Sequence, residues 1–269
     1  MKKNKKLISK LVDPGIPYVG EMTGAAIAST VGFFVMGPTG AVIGAAGGKI
    51  VTDLFARAGE EMGKRYLSRR ENARIGVVTI YALNRIKLNE ETNRPLRNDD
   101  FFSPDSITNR SAADEILEGT LLAAKNEYEE RKLKYYGNLL ANIAYYPEID
   151  RYQANYLLRI TERLSYRQIC ILALFKRKSD YCLSSNFQEL QKTLNPNELI
   201  VIREIEEIKI SKLLKSINEA LWGGGSSGNI TPSELELSDT GNILYQLMNL
   251  DEIEKEQIDT LASILSDHI

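Results

Sequence analysis

The sequence predicts a mainly α-helical protein with a glycine-rich helical hairpin at its start, long antiparallel helices in its middle and a small β-hairpin near its end. Three observations predict it. A run from Met22 to Gly48 contains no charged residue, although 26% of the chain is charged. Apolar residues recur at steps of three and four from Val51 to Ile86 and from Ile116 to Ile143, the period of amphipathic helices. A Trp222-Gly223-Gly224-Gly225-Ser226-Ser227-Gly228-Asn229 turn precedes the alternating triplet Leu235-Glu236-Leu237, as in a hairpin.

The domains follow as 1–50, a membrane-active hairpin; 51–164, a long-helix body; 165–250, an interaction module; and 251–269, an acidic helical tail. The first is the most unusual. Seven of its 27 residues from Met22 are Gly and six are Ala. Gly20, Gly24 and Gly32 are four and eight apart, with Ala28 between, and Gly40, Gly44 and Gly48 repeat the step of four. Such steps place small residues in one stripe, which lets a second helix backbone approach closely. Ile27, Val31, Phe33, Phe34, Val35, Val42 and Ile43 are the candidate membrane-facing side chains. Pro38 suits the turn of a hairpin. Basic residues flank the run on both sides: five Lys in residues 1–10, then Lys49, Arg57, Lys64, Arg65, Arg69 and Arg70. Both ends on the cytoplasmic side, with an even number of crossings, would satisfy that bias. Met22–Met36 as a helix is about 22 Å long, short of the ~30 Å hydrocarbon core. One copy should insert poorly, and several packed along the glycines should insert better. The basic start lacks an apolar h-region behind it, so a signal peptide is not expected.

Residues 49–90 read as amphipathic helix, weakened by Gly59, Gly63 and Gly76, with a kink or break near 68–74. Residues 91–110 read as a polar loop. Its Phe101-Phe102 pair reads first as an anchor in the core and second as a partner-binding pair. A single long helix is expected from Ser111 to Tyr146, ended by Pro147 and supported by the pairs Glu127 with Arg131 and Glu130 with Lys134. Arg151–Arg163 is a further helix. Short helices are expected from Ser165 to Phe175 and from Phe187 to Leu194, then a third region from Asn197 to Lys209 or beyond that ends near Leu221, with another helix opening at Leu237-Ser238-Asp239-Thr240-Gly241.

That phrase, after three helices and a Gly-rich hairpin, is similar to the winged-helix family, where a strand ends in Leu-Thr-x-x-Gly before the last helix. The resemblance covers roughly 85 residues. It implies a winged-helix-like module. DNA-binding members need a basic recognition helix, whereas the third helix here carries Glu198, Glu204, Glu206 and Glu207 against Arg203 and Lys209. The module therefore reads as a protein-interaction or oligomerisation domain. With a net charge of −2, no nucleic-acid partner is expected.

Residue types exclude several chemistries. His268 is the only histidine, which removes His-based triads and metal sites. Cys170 lies on an apolar helix and Cys182 near a loop; twelve apart and without His partners, they make a poor metal site. Gly44–Lys49 departs from a phosphate-binding loop in glycine spacing and in Ile50, which replaces the hydroxyl residue. No catalytic residue, metal or cofactor is expected, and an enzyme using Asp, Glu and Lys is the residual case.

The glycine stripe resembles that of glycine-zipper proteins of channels and toxins. A helical body behind a marginal membrane hairpin resembles bacterial abortive-infection effectors. The resemblance implies an oligomerising, pore-forming effector in antiviral defence. Its expected partners are the membrane, copies of itself and an unidentified protein trigger. Its expected place is the cytoplasm, with movement to the inner membrane. The alternative is a soluble regulatory or scaffold protein with a close-packed Gly/Ala hairpin.

Overall fold

A computed structural model describes residues 50, 51, 53–55, 57, 58, 65–217 and 230–267. The protein is mainly helical, with one two-stranded antiparallel sheet among the described residues. The chain divides into two compact units, Met1–Arg163 and Leu164–Ile269.

In the first unit the described residues between 50 and 58 are helical. Helix α1 (Arg69–Glu91) begins at Ser68, whose hydroxyl accepts from the Glu71 N–H while the Glu71 carboxylate takes the Ser68 N–H, a reciprocal cap. The break expected near 68–74 thus lies just before α1. Helix α2 (Ala112–Asn126) is capped the same way by Ser111 and Asp114. Helix α3 (Leu133–Ile143) has ten of its eleven residues buried. A helix that is covered all round belongs at the centre, and α1, α2 and α4 (Arg151–Arg163) all pack on α3.

The expected single helix from Ser111 to Tyr146 is wrong. It breaks after Asn126, and a 3-10 turn at Glu130–Lys132 leads into α3. The Glu127 side chain accepts the Glu129 N–H at 2.9 Å, a local bond that competes with helix continuation. The acids of the expected surface pairs also have partners from farther along the chain. Glu127 pairs with Lys132 inside the unit, and Glu130 reaches Arg70 at 2.8 Å and Arg74 at 3.6 Å.

In the second unit α5 (Tyr166–Lys176) is central, buried without interruption from Gln168 to Phe175. Helices α6 (Phe187–Thr193) and α7 (Pro196–Ile210) follow. Strand β1 (Leu214–Ser216) pairs antiparallel with β2 (Leu235–Leu237), Leu214 opposite Leu237. Helix α8 (Asp239–Leu247) leads to α9 (Lys255–Leu265). Residues 251–269 were expected as a separate tail. Instead α9 packs on α5, with Ile258, Leu261, Ala262 and Leu265 buried.

Candidate functional site

The predicted membrane and helix-packing residues Gly20, Gly24, Gly32, Gly40, Gly44 and Gly48 lie outside the described residues. So do Ile27, Val31, Phe33, Phe34, Val35, Val42 and Ile43, and the lone His268. The site that can be built is the junction where the chain leaves this run and joins the first unit.

At the junction Val51, Leu54 and Phe55 are buried, spaced three and four apart on one helical face. Arg57 donates to Asp114 at 3.0 Å, and Arg65 donates to Glu118 at 2.5 Å. Both acids sit one turn apart on α2. Arg110 also reaches Glu118 at 2.8 Å, and Arg151 bridges Asp105 and Glu115. Partial burial pushes the Asp114 and Glu118 carboxyls up. Hydrogen bonds from Ser111 and Arg57 on the first, and from Arg65 and Arg110 on the second, outweigh it and hold both below the usual carboxylate range. The α2 acids therefore stay ionised and opposite the arginines that follow the run.

Phe101 is buried and Phe102 is half-buried, their rings edge to face at 5.4 Å. The Arg97 guanidinium lies over the Phe101 ring at 4.1 Å. Arg97 is itself buried, donating to the Ile143, Pro147 and Ile149 carbonyls and to Asp99. A cation at the carbonyl end of α3 is favoured by the helix dipole. The Arg97 hydrogen bonds hold the Asp99 carboxyl below its usual range. Arg97 thus fastens the loop to the end of α3, the turn that carries Phe101 packs on α2, and Phe102 is half-buried. Sequence reading passed over Arg97, since one arginine in a polar loop carries no pattern.

A second polar group was also missed. Glu127, Lys132 and Tyr136 are all buried. Lys132 Nζ pairs with Glu127 and donates to the Glu162 carbonyl at 3.1 Å, and the Tyr136 hydroxyl donates to Glu127 at 3.1 Å. Burial and the adjacent Glu127 charge push the Tyr136 phenol far above its usual range, so it acts as a fixed donor. Every member is spent on another, which makes the group a clasp between α2 and α3.

Comparison with known proteins yields no matching family model, no matching curated protein and no matching solved structure.

In the second unit the Leu237-Ser238-x-x-Gly241 phrase has a geometric cause. Leu237 is buried. The Ser238 hydroxyl accepts the Gly241 N–H at 3.1 Å and donates to the Lys212 carbonyl at 2.6 Å. A Cβ on Gly241 would lie 2.2 Å from the Leu213 carbonyl oxygen. That oxygen already accepts the Ser238 N–H at 3.0 Å. Gly241→Ala is therefore expected to destabilise the second unit by roughly 2–3 kcal/mol, read as a lower urea midpoint. An unchanged midpoint would contradict this close approach.

Cys170 is buried and Cys182 exposed. Among the described residues no group of His, Cys, Asp and Glu could hold a metal ion, and no helix is long and apolar enough to cross a membrane.

Proposed function

We propose that this chain is an oligomerising, membrane-active effector whose helical body answers a protein trigger. The observation that carries it is the charge-free run Met22–Gly48, with glycines at steps of four between basic flanks. The junction supports it. The ion pairs that follow the run, Arg57 to Asp114 and Arg65 to Glu118, lie at the surface and are worth about 0–1 kcal/mol each. A partner that shifts this attachment changes where the run can go.

In this reading the trigger is sensed by the long-helix body and by the second unit, which we take as winged-helix-like from its helix, strand and Leu-Ser-x-x-Gly order. The acidic α7 suits a protein partner better than a nucleic acid. Assembly aligns the Gly/Ala hairpins of several copies, close packing stabilises them in lipid, and the membrane becomes permeable. A role in bacterial antiviral defence, with the body cytoplasmic and the hairpin moving to the inner membrane, is part of the proposal.

The test is dye release from anionic liposomes with purified full-length chain. Gly24→Leu and Gly44→Leu should each abolish release and leave the far-UV circular dichroism unchanged. Release equal to wild type in both variants overturns the proposal, as does a wild type that neither binds nor permeabilises the liposomes at the highest chain concentration reached. The second reading, a soluble scaffold, is favoured by the burial of Val51, Leu54 and Phe55 directly after the run. It expects a chain lacking residues 1–50 to lose its fold.

A further inference from the structure

Helix α7 shows the core one face only. Val201, Ile202, Ile205 and Ile208 are buried. On the opposite side Ile200, Arg203, Glu207 and Ile210 are exposed, the two isoleucines at 43% and 78%. Steps of three, four and three put these four in one narrow stripe, the spacing of a coiled-coil seam. The stripe carries a large apolar side chain at each end and opposite charges between them.

The stripe is complementary to itself reversed. Forward it runs apolar, basic, acidic, apolar. In an antiparallel copy turned about a two-fold axis at the level of Ile205, Ile200 meets Ile210 and Arg203 meets Glu207, each contact occurring twice. This is the isologous pattern of a symmetric dimer. The charges are also available. Glu204, the neighbouring acid, is taken by Arg167 at 2.5 Å. Glu207 accepts from Gln168 Nε2 through one oxygen at 2.8 Å, which fixes the carboxylate and leaves its second oxygen for a cation.

We propose that the exposed face of α7 is a contact between two copies of this chain, packed antiparallel. The helix is 15 residues long, about 22 Å. A pair of that length buries less than the ~1,200 Å² of a standard interface, so the contact is weak, and oxidation traps it at high chain concentration without help from the hairpins. Its role in assembly rests on the function proposed above, but the contact itself draws only on the second unit. The two can therefore fail separately.

Cysteine cross-linking of the full-length chain tests it, in a Cys182→Ser background because Cys182 is exposed. Ile200→Cys combined with Ile210→Cys should give a covalent dimer on mild oxidation. Either substitution alone should not, because two copies of position 200 lie about 15 Å apart along the paired helices, beyond the ~7 Å Cα limit of a disulfide. Arg203→Glu should weaken association at least about tenfold through like charges, and Arg203→Glu with Glu207→Arg should restore it. No cross-link in the double variant, equal cross-linking in the single variants, or no rescue by the charge swap overturns the contact. Adding Gly44→Leu separates the readings. The cross-link should persist where dye release is lost, and a cross-link that disappears with Gly44 also overturns the contact as one made by α7 itself. Capture of a different protein by this face, with the chain monomeric throughout, overturns it as well.

Discussion

Gly137→Leu is expected to unfold the first unit. Position 137 is where α3 crosses α1. A Cβ there would lie 2.6 Å from the Tyr81 Cβ, 2.8 Å from the Val78 carbonyl oxygen and 2.9 Å from the Ala82 nitrogen. All three are backbone or backbone-proximal atoms, so no rotamer change relieves the clash and the helices must part. Parting them has a second cost. The same seam carries Asn89 donating to Asn142 at 2.9 Å and Arg85 donating to Asn138 at 3.4 Å. These polar groups would be pulled off partners inside a covered interface, which costs about 1–3 kcal/mol for each group left unsatisfied. Even Gly137→Ala should lose roughly 2 kcal/mol. Overpacking costs up to about 3, and about 1 is returned by the better helix propensity of Ala. Urea unfolding followed by circular dichroism measures both variants. A leucine variant as stable as wild type would show that the two helices do not cross at this glycine.

Lys132→Met is expected to cost about 3–5 kcal/mol, because it leaves the Glu127 side chain without its partner in a covered site. The side chain of Lys132 is 3% exposed and that of Glu127 6%, so water can replace little of the lost interaction. Replacing both, Lys132→Met with Glu127→Leu, should recover only part of the loss. Removing the unpaired carboxyl helps, but Glu127 also accepts the Tyr136 hydroxyl and the Glu129 N–H, and these donors would then face hydrocarbon. Lys125→Met is the control. Lys125 meets Glu71 at 3.6 Å with both side chains near 30% exposed, and should cost under about 1 kcal/mol. Thermal unfolding of the three variants ranks them. Equal effects at Lys132 and Lys125 would remove the case for a buried clasp.

Much of the fold was legible because it is written locally. Helix α4 runs from Arg151 to Arg163 as read, and α5 opens at Ser165, where Gln168 completes the reciprocal cap. Such caps need only residues three apart, so a linear sequence displays them. Strand β2 was visible as an alternating triplet for the same reason. The break after Asn126 was not. Residues 123–135 are strong helix formers with well-spaced charges, and propensity alone runs a helix straight through them. What stops it is a Glu127 side chain turned to Glu129 and into the interior, matched by a lysine five residues on, a spacing no helical surface pair uses.

The residues at the junction and the loop divide in the same way. Sequence placed Phe101 and Phe102 in a loop between helices, but Arg97 as the group that binds that loop to the end of α3 appears only when carbonyls from Ile143, Pro147 and Ile149 converge on it. By itself the sequence determined the helical class, several capped helix starts, the second strand of the sheet and the charge-free glycine run, since period, capping and composition act within a few residues of chain; the first strand, Leu214–Ser216, falls in a stretch expected to stay in the third helical region to near Leu221. Only the tertiary structure decided which charges are buried, where a helix must stop and which glycines admit no side chain. Those outcomes depend on atoms brought together from segments dozens of residues apart, as Gly137 is brought to Val78, and the burial that sets their energies does not exist until the helices have packed.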